Sequence, residues 1–156
     1  MLAYRLVRAP YLATPLDGEG ARLYGSRWTR PGWRVVYLAD HPGTAIVETL
    51  VHLATPALAP PDYHLVTVEV PDDLVAAALE IDAATLPTNW RDVNSEACLD
   101  AGAAWLTATS HPAVCRAPSA VVPDSRNLLL DVTHAAAVAA HVVAQHTFSF
   151  DPRLLP

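Results

Sequence analysis

The sequence contains no lysine: its ten basic residues are all arginine, set against sixteen carboxylates, for a formal charge of −6 over 156 residues. Affinity for nucleic acid comes from clustered positive charge, so an acidic chain with scattered arginines is a poor nucleic-acid binder. Only two cysteines occur, Cys98 and Cys115, with no Cys-x-x-Cys and no His/Cys cluster. This pattern favours two buried thiols in a reducing compartment over a bridge or a metal role. No stretch approaches the roughly 20 apolar residues needed to span a bilayer, since the longest candidate, 135–144, is broken by His141. The N-terminal run Met-Leu-Ala-Tyr-Arg-Leu-Val-Arg lacks the order of a signal peptide, so a cytoplasmic location is expected. There is no Gly-x-Gly-x-x-Gly and no Gly-x-x-x-x-Gly-Lys, which argues against Rossmann and P-loop sites. Ser119 lies in no Gly-x-Ser-x-Gly elbow, and the seven histidines form no ligand pattern.

What is present is enough apolar surface for a core: 52% of the residues are hydrophobic and 17% charged, which excludes wholesale disorder. The length fits one domain over residues 1–156. Tyr4–Val7 reads as a first strand, and 9–33, rich in Pro and Gly, as a loop with no helical period. Arg34–Ala39 is a β-branched and aromatic strand. Asp40-His41-Pro42 then supplies a cap and a first-turn proline for a helix over about 43–54. On that helix Ile46, Val47, Leu50, Val51 and Leu53 form the expected core face, with Ala45, Glu48, Thr49 and His52 opposite. His64–Val70 alternates as a half-buried strand, and Ala76–Ile81 is a further short strand. Glu96–Ala108 is a helix with Leu99, Ala103 and Leu106 at core spacing. Strands follow at 119–123 and 127–132 around the turn Asp124-Ser125-Arg126, then a helical turn at 135–140 and a strand at 141–150. Strands and helices mix without βαβ alternation, so the expected class is α+β, with small mixed or antiparallel sheets flanked by a few helices.

Arg27 in a Gly-containing loop, Tyr37 near a strand end, Glu48 on a helix and Ser119 at a late strand stand out as chemistry-bearing residues, though each alone fits an ordinary structural role. Together, the segment Gly25-Ser26-Arg27-Trp28, Gly32, Val35-Val36-Tyr37-Leu38-Ala39, Ala45 and Glu48 closely resembles the RES domain, named for its Arg, Glu and Ser. Asn89-Trp90-Arg91, 118–123, Asn127-Leu128-Leu129-Leu130 and 150–153 extend the likeness in order over nearly the whole chain. Two positions depart from it: Thr29, where the family often has Asn, and Asp131-Val132, where it often has Asn-Pro.

The resemblance implies an ADP-ribosyltransferase-like fold and a toxin of a bacterial toxin–antitoxin pair that consumes NAD⁺. It implies an Xre-family helix-turn-helix antitoxin as partner. NAD⁺ would be the substrate, with no separate cofactor and no metal. By motif, Arg27, Glu48 and Ser119 match the family's three residues, Tyr37 its site tyrosine, and Arg5 an arginine on the first strand; Asn127 joins the substrate-binding set. Cleavage of the nicotinamide–ribose bond builds positive charge on the ribose, which a carboxylate such as Glu48 stabilises. Arginines 5 and 27 suit the diphosphate, Tyr37 offers a face to the nicotinamide cation, and Ser119 suits a hydrogen bond to ribose or phosphate. Degradation of NAD⁺, transfer of ADP-ribose to a protein, and a non-catalytic nucleotide- or antitoxin-binding module all remain open at this point.

Overall fold

The structure is a computed structural model that describes residues 1–53 and 62–154. Its strands are β1 (Leu2–Arg8), β2 (Val35–Ala39), β3 (Tyr63–Glu69), β4 (Leu79–Glu80), β5 (Val114–Pro118), β6 (Arg126–Asp131) and β7 (His141–Phe148). Its helices are α1 (Glu19–Tyr24), α2 (Pro42–Leu50), α3 (Asp72–Ala76) and α4 (Glu96–Thr107). The seven strands lie in one sheet in the order β4-β5-β6-β2-β1-β3-β7. Every neighbouring pair is antiparallel except β4 with β5. The α+β class expected from the sequence is therefore the class observed, with the strands gathered into a single mixed sheet.

Both faces of the sheet are covered, which is why β6 reads as an unbroken Asn-Leu-Leu-Leu rather than as alternation. Val36, Leu38, Val66, Val68, Leu128 and Leu130 fill one core. Val35, Cys115, Ala117 and Leu129 point the other way, into a core shared with Trp28, Trp90, Trp105 and Leu106. Cys98 and Cys115 are buried free thiols, as expected. Helix α4 turns Cys98, Gly102, Trp105 and Leu106 inward, a face one position away from the Leu99 and Ala103 stripe expected for it. Gly102 is required there. A Cβ at this position would overlap the carbonyl oxygen of Trp28.

Four local expectations are corrected. Residues 19–24 form α1 inside the stretch read as loop; the Asp17 carboxylate accepts the Glu19 N–H at its start, and Gly25 at φ 69° ends it. Residues 72–76 are helical, and only Leu79–Glu80 of the strand expected at 76–81 is extended. The strand expected at 119–123 comes earlier, as β5, because the Ser119 hydroxyl accepts the N–H groups of Val121 and Val122 and curls the chain into a turn. Helix α2 ends its regular part at Leu50, followed by a turn at Val51 and His52, and Ala54 lies outside the described residues. It is capped by His41, whose Nδ1 accepts the Gly43 N–H, while Asp40 instead accepts the N–H of Arg126.

The orientation of α2 is the largest departure. Thr44 and Ala45 are its buried residues, Val51 is 54% exposed, and Ile46, Val47 and Leu50 are only partly covered. The helix thus lays its small, polar side toward β1 and β2. Thr44 donates to Ser125 from this side, and the small Ala45 lets the helix approach the sheet closely.

Strands β1 and β2 register at Tyr4↔Ala39 alone, whereas β1 pairs with β3 along all seven residues from Leu2 to Arg8. The sheet is therefore split between the rest of β1 and β2, and the split opens beneath α2.

Two outcomes follow for stability. Gly102→Ala should lower the unfolding free energy by about 3 kcal/mol, the cost of overpacking against backbone, as read by denaturant unfolding. Asp131 closes β6 with hydrogen bonds from Thr133 and His111. Burial pushes its carboxyl up, but the bonds from Thr133 and His111 prevail and hold it below its ordinary value. Its contribution is thus complete above the ordinary carboxylate range and lost as pH falls through the lowered folded-state value. Asp131→Asn should flatten that acid limb of a pH–stability curve.

Candidate functional site

A cavity of about 360 Å³ occupies the split, and Arg5, Arg27, Tyr37, Glu48 and Asn127 all line it. Five of the six residues singled out from the sequence are thus brought together from β1, the 26–29 turn, β2, α2 and β6. Ser119 is not in the wall. It is 2% exposed and sits behind Glu48.

Glu48 is held by one oxygen. Its Oε1 accepts from Ser119 Oγ at 2.7 Å and from Asn127 Nδ2 at 2.9 Å. The Ser119 oxygen already accepts two backbone N–H groups, which leaves its single proton for Glu48. Oε2 has no hydrogen bond among the described residues. The carboxylate is therefore oriented from behind by two donors while its second oxygen remains available to the cavity.

Tyr37 is committed through its hydroxyl. The Trp28 N–H donates to it at 3.2 Å, and it pairs with Thr29 Oγ1 at 2.9 Å. Burial pushes the phenol up to about 12. The ring, not the hydroxyl, is left to offer to a ligand. Thr29 is 1% exposed and also closes the Ser26–Thr29 turn through its backbone, so this departure from the family pattern fits the turn it occupies. Gly25, at φ 69°, is needed beside it because a Cβ would come within 2.7 Å of the Thr29 carbonyl oxygen. The other departure, Asp131-Val132, lies at the far end of β6 and does not line the cavity.

Arg27 donates through Nη1 to the carbonyl oxygens of Trp90 (3.1 Å) and Asp92 (3.0 Å), which ties its loop to the segment before α4. Arg5 is the unusual cation. Its Nη1 donates to the Pro15 carbonyl, its buried Nε has no partner, and no carboxylate lies within ion-pair distance among the described residues. Burial pulls the guanidinium down to about 10, against a smaller opposing effect of Asp17. A buried cation left partly unsatisfied is costly, and the cost falls when an anion arrives.

Reading the sequence missed Tyr4, Thr49, His52 and Tyr63 as wall residues. For Thr49 and His52 the signal was present, since both lie on the Glu48 side of the helix. Tyr4 and Tyr63 carry no local signal, because their place depends on the pairing of β1 with β2 and β3. No group of three or more His, Cys, Asp or Glu residues suited to a metal occurs among the described residues, and no helix among them is long and apolar enough to cross a membrane.

The family described as "RES domain" matches this chain over residues 2–151. The chain is 35% identical over 156 residues to "Toxin Res" of Yersinia enterocolitica, covering 99% of each chain. It is 32% identical over 146 residues to "Prs ADP-ribosylating toxin" of a Sphingobium species, covering 93% of this chain and 89% of the relative. Among solved structures, a chain of the Mycobacterium tuberculosis MbcT–MbcA toxin–antitoxin complex superposes with a TM-score of 0.69 at 22% identity, over 95% of this chain and 84% of that one.

The state of Arg5 has a measurable consequence. Arg5→Met should leave stability unchanged or raise it by up to about 3 kcal/mol, because an apolar side chain replaces a poorly compensated buried charge. A loss of comparable size in a thermal or denaturant melt would show that Arg5 serves the fold and not a ligand.

Proposed function

Because the chain belongs to the RES domain family, we propose that it is the toxin of a toxin–antitoxin pair and that it cleaves the nicotinamide–ribose bond of NAD⁺, depleting the dinucleotide. The observation that carries this reading is Glu48, fixed through one oxygen by Ser119 and Asn127 in the same cavity as the under-partnered cation Arg5.

In this reading the nicotinamide ribose sits at Glu48 Oε2. The C–N bond breaks with its electron pair leaving on neutral nicotinamide, and positive charge grows on the ribose as in glycoside cleavage. A carboxylate already oriented needs no reorganisation to meet that charge. The free oxygen also accepts a hydrogen bond from the attacking water, or from the P–OH of hydrogen phosphate, and takes up its proton as the new C–O bond forms at the anomeric carbon. The diphosphate neutralises Arg5, and Arg27 borders it from the turn. The Tyr37 ring gives the cationic nicotinamide a face, an attraction of about 0.5–2 kcal/mol that disappears once the ring departs neutral. Ser119 and Asn127 then act on substrate through Glu48, a different part for Ser119 from the ribose or phosphate contact expected from the resemblance. The reaction needs NAD⁺ as substrate and no further cofactor.

A second reading, transfer of ADP-ribose to a protein, is favoured by the Sphingobium relative's name. Both readings share the bond that breaks and differ in the acceptor. The neighbour's presence in a toxin–antitoxin complex supports an antitoxin partner for this chain, in our reading an Xre-family helix-turn-helix protein, with the pair residing in the cytoplasm.

Purified Glu48→Gln should lose NAD⁺ cleavage by about 10²–10⁴-fold in kcat, with its melting midpoint little changed. Wild-type rates in that variant would refute the mechanism. Labelled NAD⁺ separates the two acceptors: label in free ADP-ribose or its phosphorylated form supports degradation, and label on a protein band supports transfer.

A further inference from the structure

Arg5, Ser26 and Tyr37 line two cavities. The larger is the one that holds Glu48; the smaller, about 230 Å³, is walled in part by the same three residues. Its own wall comes from Asp17, Gly18, Glu19 and Gly20, at the start of α1. NAD⁺ has a nucleoside at each end of its diphosphate. With the nicotinamide ribose at Glu48 and the diphosphate at Arg5, the second nucleoside must continue past Arg5. The chain leaves room there.

The smaller cavity also has the chemistry of a ribose site. The Asp17 carboxylate accepts from Thr14 Oγ1 at 2.8 Å and from the Glu19 N–H at 3.0 Å. It has no ion pair among the described residues, so acceptor positions remain for a vicinal diol. Glu19 is paired with Arg22 and Arg34, neither of which lines the cavity. In the shared wall, the buried Arg5 Nε has no partner. A carboxylate that accepts from ribose hydroxyls repels a 2′-phosphate at the same place, the means by which dinucleotide sites with an acidic residue separate NAD⁺ from NADP⁺.

We propose that the smaller cavity receives the adenosine half of NAD⁺, and that Asp17 makes the site prefer NAD⁺ over NADP⁺. This rests on the NAD⁺ reading above.

Gly20 allows a direct test. It lies in α1 on the wall of the smaller cavity, and a Cβ built on it meets nothing within 4 Å, so a larger side chain can be placed at this wall without displacing backbone. Gly20→Phe, with Gly20→Leu as a smaller alternative, should raise the inhibition constant of AMP against NAD⁺ cleavage by about tenfold or more, with that of nicotinamide and the melting midpoint unchanged. Asp17→Asn should narrow the ratio of kcat/KM for NAD⁺ over NADP⁺ by about tenfold. Unchanged AMP inhibition in both Gly20 variants, or a nucleotide preference that survives Asp17→Asn, overturns the assignment while NAD⁺ cleavage itself stands. A wild-type protein that cleaves no NAD⁺ instead removes the parent reading, and this one with it.

Discussion

Glu48 Oε1 is where three parts of the chain meet. Helix α2 supplies the carboxylate, the turn after β5 supplies Ser119, and β6 supplies Asn127, with partners 71 and 79 residues apart in sequence. Hydrogen bonds to a charged acceptor are worth roughly twice a neutral pair, and here two converge on one oxygen. Thr44 to Ser125 adds a second tie between the same helix and the same turn. These contacts explain why α2 lays its polar side on the sheet and leaves Val51 exposed, against the direction of its hydrophobic stripe. A helix packed by its stripe alone would turn Glu48 to solvent.

The split between β1 and β2 supplies the space that this orientation uses. A sheet fully paired along both strands would close the split that lies beneath α2. Instead Arg5 lines the cavity with a buried, unpartnered Nε, and Glu48 lines the same cavity with its Oε2 free of hydrogen bonds among the described residues. A cation and a carboxylate that line one cavity without pairing to each other are both available to a third party. A ligand with an anionic centre and a developing cation a few bonds away matches both.

Much of the scaffold was legible in the sequence because it is local. The strands β1, β2, β3 and β7 show β-branched or alternating runs, and α4 has a clear span. Residues 19–24 were missed because a six-residue helix is too short to establish a period, although Asp17 before it and Gly25 after it are the boundary signals. The strand placed at 119–123 followed the β-branched Val121-Val122, and lost to a serine hydroxyl that takes two backbone N–H groups. The facing of α2 was hidden because the bonds that decide it reach across the chain. For the same reason Arg5, Arg27, Tyr37, Glu48, Ser119 and Asn127 carry little meaning by spacing, and were found as a set only through their likeness to the RES domain.

The most direct test of the account is a crystal structure of Glu48→Gln soaked with intact NAD⁺. The account predicts density with the nicotinamide-ribose anomeric carbon against the residue 48 side chain, the diphosphate on Arg5 and the pyridinium ring on Tyr37. A dinucleotide bound with its diphosphate away from Arg5, or with its anomeric carbon out of reach of residue 48, would contradict it.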